Sequence, residues 1–111
     1  QRDERFGTVT VHHGLDLKAP AGSPVRAVYS GKVVFADWFE GYGLMVVIDH
    51  GGGYFSLYAH LDRLEVSKGQ KVRKGQLLGG VGETGSLKGP YLYFEIRNRG
   101  KPVDPAKWIR P

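Results

Sequence analysis

Leu44-Met45-Val46-Val47-Ile48-Asp49-His50-Gly51-Gly52-Gly53-Tyr54-Phe55-Ser56-Leu57-Tyr58-Ala59-His60-Leu61 reads as two strands folded back on a glycine turn. Leu44 to His50 is almost wholly apolar, the pattern of a strand buried on both faces. Gly51 to Gly53 give the backbone the left-handed conformations that a tight hairpin turn uses. The return run alternates: Phe55, Leu57, Ala59 and Leu61 share an apolar face, and Ser56, Tyr58 and His60 a polar one.

Working outward, Gly31 opens the β-rich run Lys32 to Phe39, and Gly41-Tyr42-Gly43 is a turn. Pro24 to Val28, Leu77 to Val81 and Tyr91 to Asn98 read as further strands, the last with Leu92, Phe94 and Ile96 facing the core. Only Pro105 to Ile109 reads as helical, one turn with Asp104 at the N-cap. Seventeen of the 111 residues are glycine, about twice the usual share of roughly 7%. Short strands joined by glycine turns, with no long helical period, predict an all-β fold: a compact sandwich or partly open barrel of short antiparallel strands. Gly22-Ser23-Pro24-Val25-Arg26-Ala27 and Gly69-Gln70-Lys71-Val72-Arg73-Lys74 echo each other. They read either as two similar turns or as equivalent hairpins of a pseudo-symmetric barrel.

The length fits one domain over residues 1–111. Cysteine is absent, which excludes disulfides, thiolate zinc sites and cysteine nucleophiles. No apolar run approaches the roughly 18 residues of a membrane span. The net charge is +5, and the basic residues read as dispersed rather than as the dense aromatic-laced stripe of a nucleic-acid binder. Such a surface suits a polyanionic partner, a bacterial cell-wall polymer among them.

Chemistry concentrates in three places. In His12-His13-Gly14-Leu15-Asp16, imidazole and carboxylate converge on one cation if the backbone turns at Gly14; otherwise this is a solvated loop. His60 is a candidate general acid or base, or a histidine satisfied by a carbonyl, whereas His50 belongs to turn architecture. Tyr91, Tyr93, Glu95 and Arg97 share one strand face, so the two phenols address the same space: an aromatic ladder, or the wall of a sugar or peptide site. Trp38 and Trp108 read as core or barrel-end plugs, or as stacking surfaces.

Taken together, His12-x-Gly14-x-Asp16, Leu57-Tyr58-Ala59-His60-Leu61, Gly85-x-x-x-Gly89-Pro90-Tyr91-Leu92-Tyr93-Phe94-Glu95-Ile96 and the turn Val66 to Gln76 resemble the LytM/lysostaphin-type zinc peptidases. The resemblance covers nearly the whole chain. It implies zinc on His12, Asp16 and the second histidine of a His-x-His pair, with catalysis shared by His60 and the first. Here Tyr91 and Tyr93 stand at those two positions. A catalytic zinc takes three protein ligands and a water, and a phenol becomes an anionic ligand only on losing a proton with a pKa near 10. Losing general acid–base help typically costs roughly 10²- to 10⁴-fold in rate.

With Ala36-Asp37-Trp38-x-x-Gly41-Tyr42-Gly43, the pattern is most similar to the degenerate LytM domains of EnvC-type murein hydrolase activators. That similarity implies a non-catalytic domain of cell-wall remodelling and cell separation. It would engage an N-acetylmuramoyl-L-alanine amidase, peptidoglycan, or both, through a groove of His12, Asp16, His60, Tyr91 and Tyr93. No cofactor is then required, and zinc would bind only weakly at the remnant site. The setting is the cell envelope, periplasmic or extracellular, without nucleic acid and without membrane insertion by these residues. The domain would form the C-terminal part of a longer chain with a coiled coil upstream. The alternatives are a zinc-dependent peptidoglycan endopeptidase with a His-Asp-Tyr metal site and a simple peptidoglycan-binding module.

Overall fold

The computed structural model describes residues 14–105. Nine strands, all antiparallel, form one branched sheet among them. They are β1 (Gly14–Lys18), β2 (Pro24–Arg26), β3 (Gly31–Phe39), β4 (Gly43–Gly51), β5 (Tyr54–Leu64), β6 (Lys71–Val72), β7 (Leu77–Val81), β8 (Tyr91–Asn98) and β9 (Lys101–Val103). The main path runs β1-β8-β5-β4-β3-β6, with β7 on β5, β2 on β7 and β9 on β8. Of the expected helical turn only Pro105 lies among the described residues.

β5 organises the sheet. Tyr54 to Ala59 pairs with β8, and Leu61 to Leu64 pairs with β7. Between the two halves stands His60, whose φ of 65° is left-handed for a non-glycine residue. The chain therefore bends at His60 and passes from one neighbour to the other.

The core gathers Val25, Val33, Val46, Ile48, Leu61, Leu78, Val81, Phe94 and Ile96. Phe94 and Ile96 are buried as expected, with Leu92 packed against them. From Phe55 to Tyr58 the two faces of β5 run opposite to the sequence expectation, whereas Ala59 and Leu61 are buried as expected. Ser56 and Tyr58 are buried, whereas Phe55 and Leu57 are only half-buried. Register decides this: Ser56 sits between Ile48 and Ile96, and Tyr58 between Val46 and Phe94, all core residues. Their polarity is satisfied internally. The Val28 N–H donates to the Tyr58 hydroxyl at 3.1 Å, which shares a 2.8 Å hydrogen bond with Ser56 Oγ. Ser56 Oγ lies 2.7 Å from His50 Nε2, and His50 Nδ1 donates to the Ser30 carbonyl at 2.8 Å. His50 thus ends a buried polar chain besides standing at the turn. Trp38, read as a possible core plug, is 54% exposed on β3, and Trp108 lies outside the described residues.

Burial pushes the Tyr58 phenol up to about 12, against the opposing pull of its bonds to Ser56 and Val28. The unfolded chain then loses this proton near pH 10 and the folded chain only near 12. Stability that is intact below pH 10 falls as pH rises across that window, by about 3 kcal/mol in all. Tyr58→Phe should flatten this alkaline limb in a comparison of urea midpoints at successive pH values. Parallel limbs in variant and wild type would refute the assignment.

The sequence echo is structural. The Gly22 N–H donates to Val81 O at 2.7 Å and Val81 N–H to Ser23 O at 2.8 Å. Likewise the Gly69 N–H donates to Val33 O at 2.7 Å and Val33 N–H to Gln70 O at 2.8 Å. Each glycine has positive φ, and each unit buries its valine, Val25 or Val72. Two equivalent clasps pin β2 and β6 to their neighbours.

Candidate functional site

The bend of β5 builds one end of a cleft of about 380 Å³. Its walls are Asp16 on β1, His60 on β5, and Tyr91 and Tyr93 on β8. Gly41 and Tyr42 of the β3–β4 turn close one side and Lys88 of the β7–β8 loop the other. The structure thus brings together Asp16, His60, Tyr91 and Tyr93. His12 lies outside the described residues.

His60 is 5% exposed and held at every polar atom described. Its N–H donates to Tyr42 O at 2.8 Å, replacing a ladder partner lost at the bend. Its Nδ1 lies 2.7 Å from the Thr84 carbonyl, which can only accept, so Nδ1 carries the proton. In the neutral ring Nε2 then accepts the Tyr91 hydroxyl, which lies 3.0 Å away. Thr84 is itself locked, its hydroxyl donating to Leu61 O at 2.6 Å and accepting Leu44 N–H at 3.0 Å.

The two phenols do not address the same partner. The Tyr93 hydroxyl turns along its own strand and donates to Glu95 Oε2 at 2.7 Å. Glu95 is 2% exposed, and its other oxygen accepts Arg97 Nε at 2.7 Å. Desolvation first, and then the bond to Glu95, hold the Tyr93 phenol well above its ordinary pKa. Tyr93 is therefore a neutral donor. It carries no lone pair of phenolate character for a cation.

Gly14 is neither the turn nor the solvated loop that the sequence offers as alternatives. It begins β1 and pairs with Glu95. A Cβ there would collide with the Phe94 carbonyl and stand 2.9 Å from the Tyr93 ring, so this position needs glycine for close approach. Asp16, paired with Tyr93, accepts Lys88 Nζ at 2.7 Å, and the same ammonium lies 4.6 Å above the Tyr91 ring. The bond to Asp16 raises the Lys88 pKa. No group of three or more His, Asp or Glu stands together to hold a metal among the described residues. Of the two described positions that the resemblance assigns to zinc, Asp16 is matched to the Lys88 ammonium and the Tyr93 hydroxyl is bonded to Glu95.

A model of peptidase family M23 matches residues 10–105. The chain belongs to this family. This M23 domain is 45% identical over 96 residues to the murein hydrolase activator EnvC of Escherichia coli, covering 86% of the chain and 23% of that protein. It is 42% identical over 101 residues to the peptidoglycan DD-endopeptidase ShyB of Vibrio cholerae, covering 91% of the chain and 24% of that protein. The chain thus spans about a quarter of the length of these relatives. Among solved structures it is similar to a zinc-containing peptidase from Vibrio cholerae, with a TM-score of 0.87 and 39% identity over 93% of the chain and 32% of the other.

Two residues that line the cleft, Tyr42 and Lys88, and two that hold its side chains from behind, Thr84 and Glu95, are not among the site members that the sequence names. The sequence places Tyr42 in a turn and in the pattern similar to EnvC-type domains, and its ring stands 5.9 Å from that of Tyr93. Glu95 carried a signal, since a carboxylate alternating with Tyr93 and Arg97 on one strand face meets both. Lys88 carried none, because its partner lies 72 residues away.

Proposed function

We propose that this M23 domain acts without catalysis in peptidoglycan remodelling at the cell envelope. It binds a cell-wall N-acetylmuramoyl-L-alanine amidase through the cleft of Asp16, His60, Tyr91 and Tyr93 and switches it on. One observation carries the reading: both phenols at the His-x-His positions spend their hydroxyls inside the protein, on His60 and Glu95. Proton transfer and metal ligation are thereby replaced by a fixed aromatic wall. The similarity to EnvC, named a murein hydrolase activator, supports the same reading. In this function the domain requires no cofactor.

The test is release of dye-labelled peptidoglycan by an amidase with and without the chain. Stimulation is expected, and Tyr91→Ala or Tyr93→Ala should remove most of it, with the melting temperature of each variant checked alongside. Undiminished stimulation by both variants would end the cleft reading.

Retention of Asp16 and His60, with the similarity to a DD-endopeptidase, favours a second reading as a zinc-dependent endopeptidase. Cleavage by the chain alone that a chelator and His12→Ala both abolish would establish that reading in place of the first.

A further inference from the structure

The sequence reads the positive charge as dispersed, but the fold gathers it far from the cleft. Where β3 begins, β4 ends and β6 pairs, a second concavity of about 470 Å³ opens, with Lys32, Lys71, Asp49 and Ser30 among its walls. Lys32 and Lys71 are directly opposite in the β3–β6 register. Like charges so placed work against strand pairing. Neither lysine forms an ion pair among the described residues, although Asp49 flanks Lys32 on the other side. The Asp49 carboxylate instead accepts the Gly51 N–H at 2.8 Å.

The adjoining segment, residues 66–76, adds exposed Lys68, Arg73 and Lys74 and contains no carboxylate. With Lys32 and Lys71 this makes five cations, and the other eleven Lys and Arg of the chain match its eleven Asp and Glu. Against these five cations the concavity and the adjoining segment set one carboxylate, Asp49. Its backbone is fixed in advance. The Gly69–Val33 clasp holds one turn, Gln70 Oε1 accepts Ser67 N–H at 3.2 Å, and Gln76 Oε1 accepts Arg73 N–H at 3.0 Å. On the β2 side, Arg26 donates to Gly75 O at 3.1 Å.

We propose that this end of the sheet binds a linear phosphate polymer. Lys32 and Lys71 grip one phosphate in the concavity, and Lys68, Arg73 and Lys74 track its neighbours along the fixed turns. Four of the five cations are lysines, which bind phosphate as point charges without the bidentate geometry of arginine. Several cations in a row fit a chain of anions better than one ion. Residues 66–76 contain no aromatic side chain on which bases would stack and no exposed apolar residue to enter a bilayer, and the ring that lines the concavity, His50, is bonded at both nitrogens, to Ser30 and Ser56. The proposal is independent of the amidase reading.

The probe is inorganic polyphosphate, end-labelled and titrated with the chain at low and physiological salt. Binding is expected to weaken with salt, and Lys32→Glu/Lys71→Glu to weaken it by at least about tenfold. Lys68→Glu/Lys74→Glu, placed in turns, should act in the same direction should the first pair disturb β6. Lys101→Glu on β9 should leave binding unchanged, and both double variants should keep the melting temperature of the wild type. Unchanged polyphosphate binding in both double variants would overturn the proposal. So would equal or tighter binding of single-stranded DNA or of phosphatidylglycerol vesicles.

Discussion

Arg97→Ala should lower the free energy of unfolding by about 3 kcal/mol, the cost of leaving a buried charge without its ionic partner. Glu95 is 2% exposed at the centre of β8, and its two oxygens are met by Arg97 Nε and the Tyr93 hydroxyl, each at 2.7 Å. Without the guanidinium, whose side chain is 41% exposed, the carboxylate keeps one neutral phenol and meets water only through the gap that Arg97 leaves. Glu95→Gln in the same background should recover part of the loss, because it removes the charge that was stranded. Urea unfolding with an unchanged slope is the measurement. A single-variant loss below about 1 kcal/mol, the scale of an exposed pair, would mean that Glu95 gains little from Arg97. The effect reaches the cleft, since Tyr93 takes its orientation from Glu95.

Gly14→Ala should cost about 2–3 kcal/mol, at the upper range of overpacking, and should abolish stimulation of an amidase. The new methyl would meet the Phe94 carbonyl, which is backbone and cannot swing away, and the Tyr93 ring at 2.9 Å. Relief requires β1 to move off β8. Asp16 is two residues along β1, so its contact with Lys88 goes with that movement. Loss of the Asp16–Lys88 contact should appear as altered shifts of the Lys88 side chain in an NMR spectrum. A folded variant with wild-type stability and stimulation would show that β1 tolerates the methyl.

The strands were legible because glycines punctuate them: Gly31, Gly41 to Gly43 and Gly51 to Gly53 bound β3 and β4 where the sequence places them. The facing of β5 was not legible. Ser56 and Tyr58 read as a solvent face because polarity is the signal, yet each hydroxyl is satisfied by a neighbour that only the folded register supplies. In the cleft, Asp16, His60, Tyr91 and Tyr93 could be named from motifs. Where their hydroxyls and ring nitrogens turn could not, because Thr84, Glu95 and Lys88 decide it through contacts that no spacing announces. Charge followed the same pattern: Lys32 lies 39 residues before Lys71 in the chain and beside it in the sheet.

The two clasps also bear on what the sheet offers to other chains. An unpaired strand margin invites a neighbouring polypeptide to add itself as one more strand, the route to aggregation. Here β6 is two residues long and carries Lys71, β2 is three residues long and opens with Pro24, and β9 is three residues long with Pro102 at its middle. Prolines lack the donor that an added strand would use, and a two-residue margin gives it almost no register to follow. The turns that clasp β2 and β6 hold them short, so these margins give crowded copies of the domain little template for joining sheet to sheet.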